Sequence, residues 1–252
     1  MKKVLVTSAL PYANGRVHLG HLAGAYLPAD IYVRHLRLKG VDVRFICGSD
    51  EHGVPITLTA LKRGISPQAV VDEYHKANGE AFAAAGIQFD IWSRTSSPEH
   101  HKLTQQFFTR LYEKGYIEKR QTQQLYSEKS KMFLPDRYVE GTCPVCGYDK
   151  ARGDQCDSCT STYEVTELKN PRVAIEGDGS TPVLKSTAHW FLKLDAFSDR
   201  LKQFVESHGE GSAQPWRLNA QREARGWLKT GLRGRAITRD TSWGIPLPEI
   251  DP

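Results

Sequence analysis

Pro11-Tyr12-Ala13-Asn14-Gly15-Arg16-Val17-His18-Leu19-Gly20-His21 follows shortly after the apolar run Val4-Leu5-Val6. A strand that ends in a Pro/Asn/Gly loop and restarts as a helix is where an open α/β sheet binds nucleotides. Free backbone N–H groups at the helix start, together with the positive end of the helix dipole, attract phosphate there. His18 and His21 stand three residues apart, so their imidazoles share one face of the first turn and can reach the same phosphate. Gly20 between them has no side chain and lets a ligand approach the backbone. The ligand implied is ATP. A bare His-x-x-His would otherwise suit surface packing or half of a metal site.

The elements around this stretch form an alternating series. Lys3 to Ser8 reads as a strand, and a helix from His18 to about Lys39 puts Ala25, Ala29, Val33 and Leu36 on one stripe, with Pro28 as a kink. Val41 to Gly48 reads as a second, buried strand. Ser66-Pro67 opens a helix that ends near Gly86, and Ser97-Pro98-Glu99 opens another, with Leu103, Phe107 and Leu111 on one face up to Gly115. This predicts an α/β fold in which residues 1–115 form the first half of a doubly wound, Rossmann-like parallel sheet. Beyond the second strand comes Ser49-Asp50-Glu51-His52-Gly53, placed over the ligand crevice. Its acidic residues could meet a ligand or form a solvated turn, and Glu51 reads as part of such a turn. His52 has no evident metal partner, and Cys47 reads as core.

Two C-x-x-C knuckles, Cys143-Pro144-Val145-Cys146 and Cys156-Asp157-Ser158-Cys159, are separated by nine residues. Each knuckle places two thiolates on one turn, and two turns complete a tetrahedral sulfur site for zinc. Gly147 and Gly153 ease the backbone nearby. Two disulfides are the competing reading, disfavoured in a reducing cytosol, and a redox C-x-x-C normally comes singly. Four thiolates close the site, so the metal would hold shape and do no chemistry. Residues 116–232 carry few long amphipathic patterns and read as an inserted domain around this zinc site, with 233–252 returning to the first domain. Within the insert, Trp190-Phe191-Leu192 could be mistaken for a base-stacking platform. Leu194, Phe197, Leu201 and Phe204 have the spacing of a helix that buries one face. Gly177-Asp178-Gly179-Ser180 reads as a turn.

Composition agrees with a cytoplasmic α/β protein. The chain has 252 residues and a formal net charge of +5, too modest to identify a nucleic-acid binder by itself. Thr7, Ser8 and Pro11 interrupt the N-terminal apolar run too early for a signal peptide, and no apolar stretch approaches the ~20 residues that span a bilayer.

The string from Ala9 to His21 resembles the His-Ile-Gly-His signature of class I aminoacyl-tRNA synthetases and is most similar to its methionyl branch, with Leu19 in place of the common isoleucine. Phe133-Leu134-Pro135-Asp136-Arg137, Gly141-Thr142-Cys143-Pro144 and the short zinc-bearing insert are similar to that branch as well. The resemblance implies a ligase that activates methionine with ATP and Mg2+ and passes it to tRNA(Met), initiator tRNA included. It assigns Tyr12, Asn14, Gly15, His18, Gly20, His21 and Arg239 to ATP, with His18 and His21 catalytic. Leu10, Tyr12 and Asp50 are assigned to methionine.

Ile237-Thr238-Arg239-Asp240 and Trp243-Gly244-Ile245-Pro246 resemble the segment by which this family leaves the insert. Arg217, Arg222, Arg225, Lys229, Arg233, Arg235 and Arg239, with only Glu223 acidic among them, could meet tRNA phosphates or form an ordinary solvated face. The family's Lys-Met-Ser-Lys-Ser loop does not occur in this sequence, nor does an anticodon-binding domain. The resemblance therefore implies a truncated enzyme, weakly active or inactive alone, with an unpaired sheet edge. The alternatives are a non-catalytic zinc-containing nucleic-acid-binding module and another class I synthetase, such as one for cysteine.

Overall fold

The computed structural model describes residues 3–135, 138–153, 155–161, 163, 165–175 and 178–250. Asp136, Arg137 and Gly177, which carried expectations above, lie outside the described residues. The chain divides into two compact units, Met1–Phe107 with Ser242–Pro252, and Phe108–Thr241.

In the first unit, β1 (Lys3–Thr7), β2 (Asp42–Ser49) and β3 (Ile91–Arg94) form a parallel sheet in the order β1-β2-β3. β2 is the central strand and alternates accordingly: Val43, Phe45 and Cys47 are buried and pack with Tyr26, Val33, Phe82 and Ile87. Burying a side chain such as Phe45 contributes roughly 1.5–3 kcal/mol. Gly48 is required where β2 meets β3, because a Cβ there would lie 2.7 Å from the Ser93 carbonyl oxygen. The burial of Cys47 pushes its thiol up to about 11, which suits a core residue.

The expected helix 18–39 is interrupted. It begins as α1 (Leu19–His21), passes through a π-helical turn at Leu22–Tyr26, and continues as α2 (Leu27–Leu38). Pro28 is the physical reason. It has no N–H to donate and its ring crowds the carbonyl four residues back, so the wider turn comes before it and Pro28 sits in the first turn of α2. Ala25, Ala29 and Leu36 still pack on the core beside Val33.

α3 (Val54–Arg63) and β3 were not legible from periodicity, whereas Pro28 marked the break in the first helix. α4 (Pro67–Ala84) is capped as expected, the Ser66 hydroxyl accepting the Ala69 N–H at 3.2 Å. α5 (Pro98–Glu113) differs from expectation: Leu103 and Phe107 are exposed, and the buried ring is Phe108.

The second unit is built on a long ribbon. β4 (Ile117–Ser127) pairs antiparallel with β9 (Val183–Leu192) from Ile117↔Leu192 to Tyr126↔Val183. β5 (Met132–Phe133) joins β4, and β10 (Arg235–Ala236) joins β9. Trp190 is therefore on a strand, edge-on to Phe108 and Tyr112 at 5.8 and 5.3 Å between ring centres. A smaller sheet places β6 (Val139–Thr142) between β7 (Ala151–Arg152) and β8 (Lys169–Val173). α6 (Ser198–Ser207) and α7 (Leu218–Thr230) complete the unit. Phe204, expected on a buried face, is 52% exposed; Val205 is the buried residue of α6. Among the described residues no helix is long and apolar enough to cross a membrane.

Candidate active site and metal centre

The loop after β1 extends the parallel sheet. Ala13 N–H donates to the Asp50 carbonyl at 2.8 Å and Asp50 N–H donates to the Pro11 carbonyl at 2.9 Å, bridging Tyr12 to Asp50. The Tyr12 hydroxyl donates to the His52 carbonyl at 2.7 Å, in the space that a Cβ on Gly53 would occupy. Two separate sequence motifs thus become one surface, with Leu10 and Asn14 exposed beside it.

His18 and His21 form a reciprocal cap at the start of α1. His18 Nδ1 accepts the Gly20 N–H at 3.1 Å, and His21 Nδ1 accepts the His18 N–H at 3.3 Å. The rings stack with centres 3.8 Å apart. This is the capping-box pattern with imidazoles in place of Ser and Glu. Because each Nδ1 serves as an acceptor, each neutral ring carries its proton on Nε2. Two N–H donors are therefore available on an exposed helix start, an arrangement suited to phosphate oxygens.

Glu51 corrects the sequence reading, which placed it in a solvated turn. It is fully buried, and a buried carboxylate must be paired. Ser49 donates to it at 2.6 Å and Arg94 at 2.7 Å; Ser96 also donates, and the Glu51 N–H donates to Thr95 Oγ1 at 2.9 Å. Arg94 reaches on to Asp72 at 2.7 Å, and Ser49 bonds His75 Nδ1 at 2.7 Å. Trp243 Nε1 donates to the Glu51 carbonyl at 2.6 Å. This network holds Ser49 and Glu51, the residues on either side of Asp50, and so fixes the loop after β2. His52 adjoins the rings of His101 and Trp243, and burial, then the neighbouring His101, holds its pKa below the ordinary imidazole value. Sequence reasoning missed Arg94, His101 and Asn78. Only Asn78 left a signal, as an amide on an otherwise apolar helix stripe.

In the second unit the four knuckle sulfurs all lie within 4.8 Å of one another. Cys143 to Cys159 is 3.8 Å and Cys146 to Cys156 is 3.6 Å between sulfurs, far beyond the ~2.05 Å of a disulfide. A tetrahedral ion with metal–sulfur bonds of ~2.3 Å requires sulfur–sulfur edges of about 3.8 Å. The donor set therefore fits a tetrahedral metal. Val145 and Cys146 N–H groups point at Cys143 Sγ, and Ser158 and Cys159 N–H groups point at Cys156 Sγ, which stabilises thiolates. Hydrogen bonds from the Ser161 side chain and backbone bring Cys159 down to about 6. The positive-φ residue that closes the first knuckle is Gly147, as expected; in the second it is Thr160 and not Gly153. Arg239 belongs to this unit, its guanidinium donating to the Ala236 and Thr238 carbonyls at 2.9 and 2.8 Å.

The chain thus joins a parallel α/β sheet with a capped His-x-x-His turn after its first strand to a second unit that holds a four-cysteine cluster. The family model for tRNA synthetases class I (M) matches residues 4–252, and the chain belongs to that family. It is 56% identical over 247 residues to the methionine–tRNA ligase of Chloroherpeton thalassium, covering 98% of this chain and 34% of the relative. It is 51% identical over 248 residues to that of Parabacteroides distasonis, covering 98% and 36%. The chain thus spans about a third of the length of these curated relatives. Its fold is similar to Mycobacterium tuberculosis methionyl-tRNA synthetase in complex with methionyl-adenylate, with a TM-score of 0.72 and 24% identity, covering 99% of this chain and 43% of that one.

Proposed function

We propose that this chain carries the methionine-activating site of a methionine–tRNA ligase. The observation that carries the reading is the junction of the two loops: the loop that leads to the His18–His21 donor pair is bridged to Asp50 beyond the ends of β1 and β2, in a chain of this family whose relatives bear that name. Methionine brings its own nucleophile. Its carboxylate oxygen attacks the α-phosphorus of ATP, the bond to the pyrophosphate oxygen breaks, and methionyl-adenylate and pyrophosphate result. The terminal ribose hydroxyl of tRNA(Met) then attacks the acyl carbon and AMP leaves.

No group of the chain needs to act as a nucleophile, so its work is positioning and charge neutralisation. His18 and His21 donate through Nε2–H to phosphate oxygens as charge grows on them, with the backbone of Tyr12, Asn14, Gly15 and Gly20 forming the nearby wall. Asp50 accepts the methionine ammonium, and Leu10 and Tyr12 flank the thioether. ATP enters with Mg2+, and Arg239 serves the same nucleotide. We further propose that residues 116–232 are the inserted connective domain and 233–252 its return. Zinc, bound by Cys143, Cys146, Cys156 and Cys159, holds its small sheet together. Reduced thiols of this kind go with a cytoplasmic location.

The test is amino-acid-dependent exchange of pyrophosphate into ATP, with all standard amino acids, for the chain itself and for a polypeptide extended to the relatives' length. In the extended polypeptide, exchange with methionine and no other amino acid is expected, reduced about a hundredfold on changing His21 to Ala, and the chain itself is expected to show little or none. Exchange with another amino acid, or none in the extended polypeptide, sinks the reading.

A further inference from the structure

We propose that Asn78 is a positioning residue for the ATP side of this site; the proposal rests on the synthetase reading above. Val71, Asn78 and Phe82 lie on one face of α4, at spacings of seven and four, and all three are buried. Two are apolar. An amide in the third place is disfavoured twice, since asparagine is a poor helix former and an amide taken from water needs partners.

Its partners are both on one short stretch of the signature loop. Asn78 Oδ1 accepts the Val17 N–H at 2.9 Å, and its Nδ2 donates to the Gly15 carbonyl at 3.3 Å. Val17 immediately precedes His18, the cap of α1, so the clamp fixes the backbone one peptide before the imidazole pair. The Val17 side chain packs on the core, which sets its depth, while the amide of Asn78 sets the direction of its N–H. The loop is thus anchored twice. Its Ala13 end is tied by the sheet to Asp50, the methionine side. Its Val17 end is tied by Asn78, and that end carries the phosphate donors.

The two anchors make the ligands separable. Asn78→Leu removes both bonds at similar volume. Asn78→Asp keeps the acceptor for Val17 and turns a second oxygen toward the Gly15 carbonyl, and it serves should the first variant fail to fold. With the chain titrated separately with ATP and with methionine, ATP binding is expected to weaken about tenfold or more while methionine changes less than about twofold. Equal weakening of both ligands, or unchanged ATP binding, overturns the proposal.

The synthetase reading is judged on the extended polypeptide, so where the wild-type chain alone binds no ATP the clamp is read without ligand. Amide exchange is expected to speed up at Val17 in Asn78→Leu and at Gly20 in both variants, and the ring-nitrogen signals of His18 and His21 to shift as the reciprocal cap loosens. Unchanged exchange and unchanged imidazole signals overturn the proposal whatever the chain binds.

Discussion

At the scale of single residues, the sites divide by how local their chemistry is. Four cysteines in two knuckles announce a metal because each pair is complete within four residues, and the structure brings their sulfurs to tetrahedral spacing. Glu51 was misread for the opposite reason. Nothing within its own turn reveals that Ser96 and Arg94 come back to it from more than forty positions away. The second knuckle holds a further lesson, since Thr160 sits at φ +59, where a β-branched side chain is strained. Thr160→Gly removes that strain, worth about 1 kcal/mol. It is expected to raise the thermal midpoint of the second unit and slow metal loss to a chelator; a lower midpoint would show that the threonine side chain does more than fill the turn.

Elements were legible where their start signals are local. Ser66-Pro67 announced α4 and the apolar run announced β2, but β3 is only four residues long and half polar, so its identity comes from pairing with β2. α3 follows a glycine at φ +116 and shows no capping side chain. α4 is joined to β2 through His75 and Ser49. Burial first, then the Arg94 guanidinium, holds the His75 pKa below its ordinary value. The unfolded chain, with histidine near ~6.5, therefore binds more protons than the folded one just below that pH. Stability contributed by neutral His75 is present above about pH 6.5 and is lost as pH falls toward its folded value. His75→Gln keeps a partner for Ser49 and removes the titration. Urea midpoints at pH 7.5 and 5 should then differ less than in wild type, and an unchanged difference would place the acid sensitivity elsewhere.

For the whole molecule, the two units rest on different chemistry. The first has an aromatic and aliphatic core around β2, whereas the small sheet of β6, β7 and β8 has only short strands beside the cysteine cluster. A strong chelator is expected to raise amide exchange in β6 and β7 while leaving β2 protected, since structural metal contributes folding free energy directly. Uniform loss of protection would mean that the units unfold together.

The bond from the Trp243 indole to the Glu51 carbonyl joins residues 192 positions apart. A ribosome adding ~5–20 residues per second takes roughly ten to forty seconds between the two. Throughout that interval Glu51 lacks the Trp243 donor, while the whole cysteine-bearing segment is made and emerges. Birth order thus makes the first unit close only after the second has been made, although its first strand is the first to appear.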